Sequence, residues 1–413
     1  MNIYGIIILT ALIADFVVGV VAGLLNVAHA ADEVPAEFAD VCDAEAYAKS
    51  QEYLRAKTRF GLVASAFGLV LTLVIWFGGG FSFLDRLVTG WFSHFILQGI
   101  CFIGILVLVK GALMLPFSWY GTFVLEARFG FNRTTTKTFV LDLLKGLALG
   151  AVLGIPLLSA ILWFLESSGA YGWLWCWAAV TVFALVMQIV YPRWIMPLFN
   201  KFEPLEEGEL RQRILEYADR VGFSVKHLFV MDGSKRSGHS NAFVAGFGRT
   251  KRIALFDTLV EKHEVSELVA ILAHEVGHWK RGHILKGLVL GIGHSGLMFF
   301  LLSVFLTRTG LFDAFGVAPS VYAGLVFFGM LYTPVEMALS LVLNAVSRRN
   351  ERQADAFAAE TTGSGEALAD ALKRLSLENL SNLTPHPVVV LLEYSHPPVL
   401  ERIRSLRNPE EGA

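Results

Sequence analysis

Charge is scarce in this chain. Only 17% of its 413 residues are Asp, Glu, Lys or Arg, where soluble domains carry about 25%. The formal balance is −2 and no basic stripe runs along the sequence, which leaves no case for a nucleic-acid partner. Cysteine is scarcer still. Cys42, Cys101 and Cys176 are scattered, and the last two sit inside apolar segments. Neither a disulfide framework nor a thiolate metal cluster can be assembled from them, so any metal site must use His and carboxylate. What is abundant is hydrocarbon: 54% of residues are hydrophobic and the mean hydropathy is +0.56.

The apolar residues come in blocks. Seven are long enough to cross a hydrocarbon core of about 30 Å, which takes roughly 20 helical residues. They fall at Ile3–Val27, Phe60–Gly80, Phe95–Phe117, Leu143–Phe164, Trp173–Ile195, Leu285–Leu306 and Val321–Val346. The first ends in Ala28-His29-Ala30-Ala31, which resembles a signal-peptidase site. No Lys or Arg precedes it, Asp15 interrupts it, and it exceeds the roughly 7–15 apolar residues of a cleaved signal. It is read as a retained membrane helix. Lys49, Arg55, Lys57, Arg59, Arg128, Arg133, Lys137, the basic residues of 200–283, Arg348, Arg349 and Arg352 all fall on one side, against Arg86 and Arg308 on the other. The basic side is expected in the cytoplasm. Titratable residues within or bordering the blocks, among them Asp15, Lys110, Asp142, His294 and Glu336, are too sparse for the relay of an ion transporter. His294 reads either as a functional intramembrane group or as a neutral ring bonded to a helix carbonyl. Trp163, Trp173, Trp175 and Trp177 flank a short turn and read as an interfacial belt.

Between the fifth and sixth blocks lies a polar segment. Glu206–Val221 has Leu210, Ile214, Tyr217 and Val221 at helical spacing, and Lys226–Met231, Ala242–Phe247 and Arg252–Phe256 read as short strands. The next stretch, Ile271-Leu272-Ala273-His274-Glu275-Val276-Gly277-His278-Trp279, contains H-E-x-x-H and follows a run without helix breakers. A helix there puts His274 and His278 at i and i+4 on one face, where both can bind one zinc ion, with Glu275 placed to reach a water at the metal. The bland alternative is a helix that happens to carry two histidines. A small sheet followed by such a helix is the arrangement of zincin proteases, in which an edge strand can hold an extended substrate. The helix is expected to run straight into the sixth membrane block, which suits a membrane-anchored substrate.

Two histidines leave a catalytic site one ligand short. After the seventh block the chain reads Ser347-Arg348-Arg349-Asn350-Glu351-Arg352-Gln353-Ala354-Asp355. As a helix it presents Glu351 and Asp355 on one face. Glu351 would then ligate zinc and Asp355 would accept the remaining ring N–H of a liganding histidine; a solvated helix of i, i+4 ion pairs explains the spacing equally well. A further amphipathic helix is expected from Glu366 to about Leu380. Tyr394-Ser395-His396-Pro397-Pro398, followed by Arg402, reads by itself as a proline-stiffened turn before a helix. The chain thus divides into a membrane region over 1–199, a zincin-like catalytic segment over 200–283, membrane helices over 284–346 and a C-terminal catalytic segment over 347–413.

Taken together these residues resemble the integral-membrane CAAX prenyl proteases of the a-factor-converting type. The likeness covers Phe129-Gly130-Phe131-Asn132 with Thr134-Thr135, Pro197-Leu198-Phe199-Asn200-Lys201-Phe202, His239-Ser240-Asn241-Ala242, the H-E-x-x-H segment, Glu351 with Ala354-Asp355, and His396-Pro397. It spans about residue 45 to the C-terminus. It implies a predominantly α-helical polytopic membrane protein, seven helices around a chamber, closed by a zincin-like domain. It implies one Zn²⁺ per chain on His274, His278 and Glu351, with Glu275 as general base and Asp355 supporting a ligand histidine. Asn241 would help hold a substrate strand, and His396 and Arg402 would stand near the scissile carbonyl. His283 matches a recurrent family histidine but, five residues beyond His278 on a different helix face, is read as structural. The implied partners are the bilayer and a membrane-anchored or lipidated peptide; a quality-control protease of the HtpX-like kind and a zinc-stabilised scaffold are the alternatives. The short loops, and an ending in Asn408-Pro409-Glu410-Glu411-Gly412-Ala413 without a di-lysine signal, fit a bacterial inner-membrane member; a eukaryotic one would sit in the endoplasmic reticulum.

Overall fold

Apolar runs without helix breakers give helices that outlast the bilayer. A computed structural model describes residues 1–31, 33–225, 227–245 and 252–408. Its seven helices long and apolar enough to span a membrane are Ile3–His29, Ala44–Phe77, Phe95–Glu126, Thr136–Ser167, Gly169–Phe199, His283–Leu306 and Val321–Thr362, one for each apolar block. The second starts well before the membrane, where the Asp43 side chain accepts the Ala46 N–H as an N-cap. The seventh runs unbroken for 42 residues, past its internal Pro334, until Gly363 ends it at φ 84°. The second to fifth helices each bury only 6% of their most apolar window inside the protein. Side chains such as Val70, Val107, Val152 and Val182 are exposed, a surface that suits lipid and not water.

The polar residues between the fifth and sixth membrane helices build a four-stranded sheet. β1 (Phe202–Pro204) pairs antiparallel with β2 (His227–Met231), β2 runs parallel to β4 (Arg252–Phe256), and β3 (Ala242–Ala245) closes the order β1-β2-β4-β3 antiparallel to β4. Lys226, Gly246 and Phe247, expected in strands, and the last five residues of the chain lie outside the described residues. Leu228, Ile253 and Leu255 of the sheet and Leu268, Leu272 and Val276 of the following helix share one core with Ile403 and Leu406 from the C-terminal helix Val399–Arg407. A second core, with Phe102, Leu162, Phe312 and Phe327, belongs to the membrane helices.

The helix Val265–Lys280 is locked at its start by a capping box between Glu264 and Glu267. It does not continue into the membrane. Gly282 adopts φ 70°, a left-handed conformation open to glycine, and a separate helix begins at His283. On its other side Gly277 packs against the seventh helix so closely that a Cβ would stand 3.1 Å from the Ala354 Cα and carbonyl oxygen. That approach brings Glu351 opposite the two histidines.

Candidate metal centre

His274 and His278 share one face of the helix Val265–Lys280, and their Nε2 atoms lie 3.1 Å apart. Glu351 faces them, with Oε2 3.3 Å from His274 Nε2 and Oε1 3.2 Å from His278 Nε2. One donor atom from each residue falls within 4.8 Å of the others, so the three could hold a metal ion.

The protons can be assigned around this point. His274 Nδ1 is 2.7 Å from Asp355 Oδ1 and donates to it. Asp355 is in turn held by Arg402, whose Nε and Nη2 lie 2.8 and 2.6 Å from its two oxygens. His278 Nδ1 is 3.1 Å from His283 Nδ1, and His283 Nε2 is 3.0 Å from Gln353 Oε1. Because the Gln353 oxygen can only accept, His283 carries its proton on Nε2, and its Nδ1 accepts from His278. Both histidines therefore keep their protons on Nδ1 and turn unprotonated Nε2 lone pairs toward each other. Glu351 Oε2 is buried there without a hydrogen-bond partner. Two lone pairs and an orphaned carboxylate oxygen fit a bound cation. When no metal is bound, a proton takes its place: burial opposes charge on His274, but hydrogen bonding to Asp355 and Glu351 pushes its pKa up to about 9.

Glu275, half-buried, follows His274 and lines a cleft of about 540 Å³ together with Val244, His278, His283 and His396. Burial raises its carboxyl above the usual range, with the neighbouring histidines opposing the shift. His396 is exposed at the same cleft, its Nε2 3.3 Å from Glu351 Oε1 and its Nδ1 2.9 Å from Ser395 Oγ. The resemblance implies that Arg402 stands near the scissile carbonyl; here its guanidinium is engaged bidentately by Asp355, on the Nδ1 side of His274. Asn241 is exposed at the head of β3, where its side-chain oxygen accepts from the Ala242 N–H. The main-chain oxygen of Asn241 accepts from Phe256 N. By strand alternation, the N–H and C=O of Val244 then point away from β4, toward the open edge. Among the described residues β3 pairs with β4 alone.

Sequence reasoning read His283 as structural, without its contact to His278, and had no role for Gln353 or Val244. The signal for His283 is the Arg281-Gly282 pair: a glycine there lets the chain turn, and the next helix then points its first residue back at His278. Gln353 is two residues from Glu351, and Val244 depends on strand phase.

Residues 24–201 match the CAAX prenyl protease N-terminal domain of five membrane helices, and residues 204–410 match peptidase family M48. CAAX prenyl protease 1 of Saccharomyces cerevisiae is 36% identical over 406 residues, which cover 91% of this chain and 88% of the yeast protein. A CAAX prenyl protease 1 homolog of Arabidopsis thaliana is 43% identical over 71% of this chain and 69% of its own; the homolog of Mus musculus is 33% identical over 92% and 89%. The crystal structure of S. mikatae Ste24p matches with a TM-score of 0.91 and 34% identity, covering 98% of this chain and 99% of that one.

Proposed function

We propose that this chain, which belongs to peptidase family M48 and is an integral-membrane zinc metalloendopeptidase of the CAAX prenyl protease type, cuts membrane-anchored peptides laid along β3. The observation that carries the reading is the convergence of His274, His278 and Glu275 on one cleft whose wall includes the edge strand, with the Glu351 carboxylate against both histidine Nε2 atoms. His274, His278 and Glu351 hold the ion. When bound, zinc supplies Lewis acidity, polarising the scissile carbonyl and acidifying the attacking water.

The chain's own residues do the rest. Val244 offers its N–H and C=O to an extended substrate backbone, which fixes the peptide across the cleft. Asn241, at the head of the strand, sets where that pairing begins. Glu275, its affinity for a proton raised by burial, takes a proton from water and delivers it to the departing amine nitrogen. With Ser395 Oγ–H donating to Nδ1, His396 keeps its proton on Nε2 and offers it to the developing oxyanion. Arg402 holds Asp355, Asp355 holds His274, and His283 holds His278, so both ligand rings are fixed before a substrate arrives.

The basic loops support an orientation with the catalytic side in the cytoplasm. The names of the relatives support a prenylated, C-terminally marked peptide as substrate. The test is cleavage of a fluorogenic C-terminal peptide, with and without a farnesyl group, by detergent-purified wild type and Glu275→Gln. Cleavage of the farnesylated peptide by wild type alone is the expected result; equal cleavage by both proteins would refute the mechanism.

A further inference from the structure

The cleft at the metal centre does not stop at the membrane boundary. It continues between the sixth and seventh membrane helices, lined by Gly287, Leu290 and Gly291 on one and by Leu343, Val346 and Ser347 on the other. Seven residues is close to two helical turns, about 10 Å, so residues seven apart share a face. His294 is seven beyond Gly287, and Glu336 is seven before Leu343. The same two faces therefore carry His294 and Glu336 deeper into the membrane, and there they meet. His294 Nε2 lies 3.1 Å from Glu336 Oε2 and 3.1 Å from the hydroxyl of Tyr332.

This cluster is short of donors. The His294 ring N–H and the Tyr332 hydroxyl are at most two donors, while a carboxylate can accept about four hydrogen bonds. The Glu336 side chain is 55% exposed, on a helix face that otherwise carries Leu343 and Val346. A carboxylate at membrane depth is costly unless a cation or several donors answer it. Among the described residues Glu336 has His294 as its ion-pair partner.

We propose that Glu336, backed by His294 and Tyr332, forms a substrate subsite that takes the side chain of a lysine or arginine. This rests on the reading of the chain as a peptidase and adds the residue class it selects. His294 lies eleven residues beyond His283, about 16 Å along the helix. An extended peptide advances about 3.3 Å per residue, so the basic residue sits about five positions from the scissile bond. Glu336 is a specificity residue and does not touch the reacting atoms.

The experiment is a positional scan in detergent. Peptides carry lysine, or its uncharged isostere norleucine, four to six residues from the cleaved bond on either side, and kcat and KM are measured separately. Wild type is expected to prefer lysine at one position by about tenfold in kcat/KM, as for one charge-assisted hydrogen bond, mainly through KM. Glu336→Gln should lose that preference and cut the norleucine peptides as wild type does. Glu336→Asp, which keeps the carboxylate, should retain a measurable part of it and guards against a folding defect in the first variant. Cleavage of norleucine peptides with no lysine preference at any position would overturn the subsite and leave the peptidase reading intact. Failure to cut any peptide would overturn both. A second metal ion per chain, lost in Glu336→Gln, would make the cluster a cation site and overturn the proposal.

Discussion

Asp355→Asn separates the metal's needs from the fold's. Asp355 is 4% exposed and serves three donors: His274 Nδ1 at 2.7 Å and two guanidinium nitrogens of Arg402 at 2.6 and 2.8 Å. Asparagine keeps one oxygen and replaces the other by an NH₂ that itself donates. If the oxygen stays on His274, Arg402 faces a donor; if the amide flips, His274 does. Loss of such a supporting carboxylate costs roughly 10–100-fold in metal affinity, which is about 1.4–2.7 kcal/mol. The buried guanidinium, left with only the more distant Glu351 carboxylate at 3.9 Å, adds a destabilisation of up to about 3–5 kcal/mol. Competition with a fluorescent zinc chelator measures the first effect, and thermal unfolding followed by tryptophan fluorescence measures the second. Adding Arg402→Met should recover much of the thermal stability and none of the zinc affinity. A folded Asp355→Asn protein that binds zinc as tightly as wild type would refute the chain of support from Arg402 through Asp355 to His274.

Four further outcomes are expected. Glu275→Gln should retain one zinc per chain by elemental analysis while kcat falls by about 10²–10⁴. His283→Ala should weaken zinc binding by roughly 10–100-fold in the same chelator competition, through loss of the acceptor for His278. Val244→Pro removes an outward N–H and leaves the β4 pairing in place, so peptide KM should rise by about tenfold with little change in unfolding temperature. In the metal-free protein the raised His274 pKa gives stability that is complete below its ordinary 6.5 and is lost as pH rises through about 9. Zinc needs that ring neutral, so its affinity should climb with pH over the same window, as pH-stepped chelator titrations would register.

The membrane helices were legible because a run of about 20 apolar residues has one stable arrangement in a bilayer. Their ends were not: Ala44–Arg59 and the stretch from Ser347 read as helical by themselves, but hydropathy stops at their polar faces and does not show that each is one rod with its membrane helix. The i, i+4 pair His274 and His278 was readable from local geometry. The pairing of His274 with Asp355, 81 positions away, was an even choice until the resemblance entered, because periodicity says nothing about which distant face a helix will meet. The parallel register of β2 on β4, with His227 opposite Arg252, is set by the core both strands cover and leaves no mark in either strand alone. The break at Gly282 was passed over because one glycine inside a long helical pattern is usually tolerated. Here it ends one helix, starts the next and returns His283 to His278.

The seventh helix has a mechanical consequence. One unbroken rod spans the bilayer at one end and carries Glu351 and Asp355 at the other, so whatever tilts the rod also moves Glu351 against His274 and His278, which ride on a different helix. A membrane helix answers a thinner or thicker bilayer by tilting, and over the roughly 20 Å from Glu336 to Glu351 even a few degrees of tilt shifts the carboxylate by about an ångström. Zinc coordination tolerates about a fifth of that. Lipid thickness thereby enters the coordination geometry as a working parameter, and reconstitution in bilayers of graded acyl-chain length should change turnover without a single substitution.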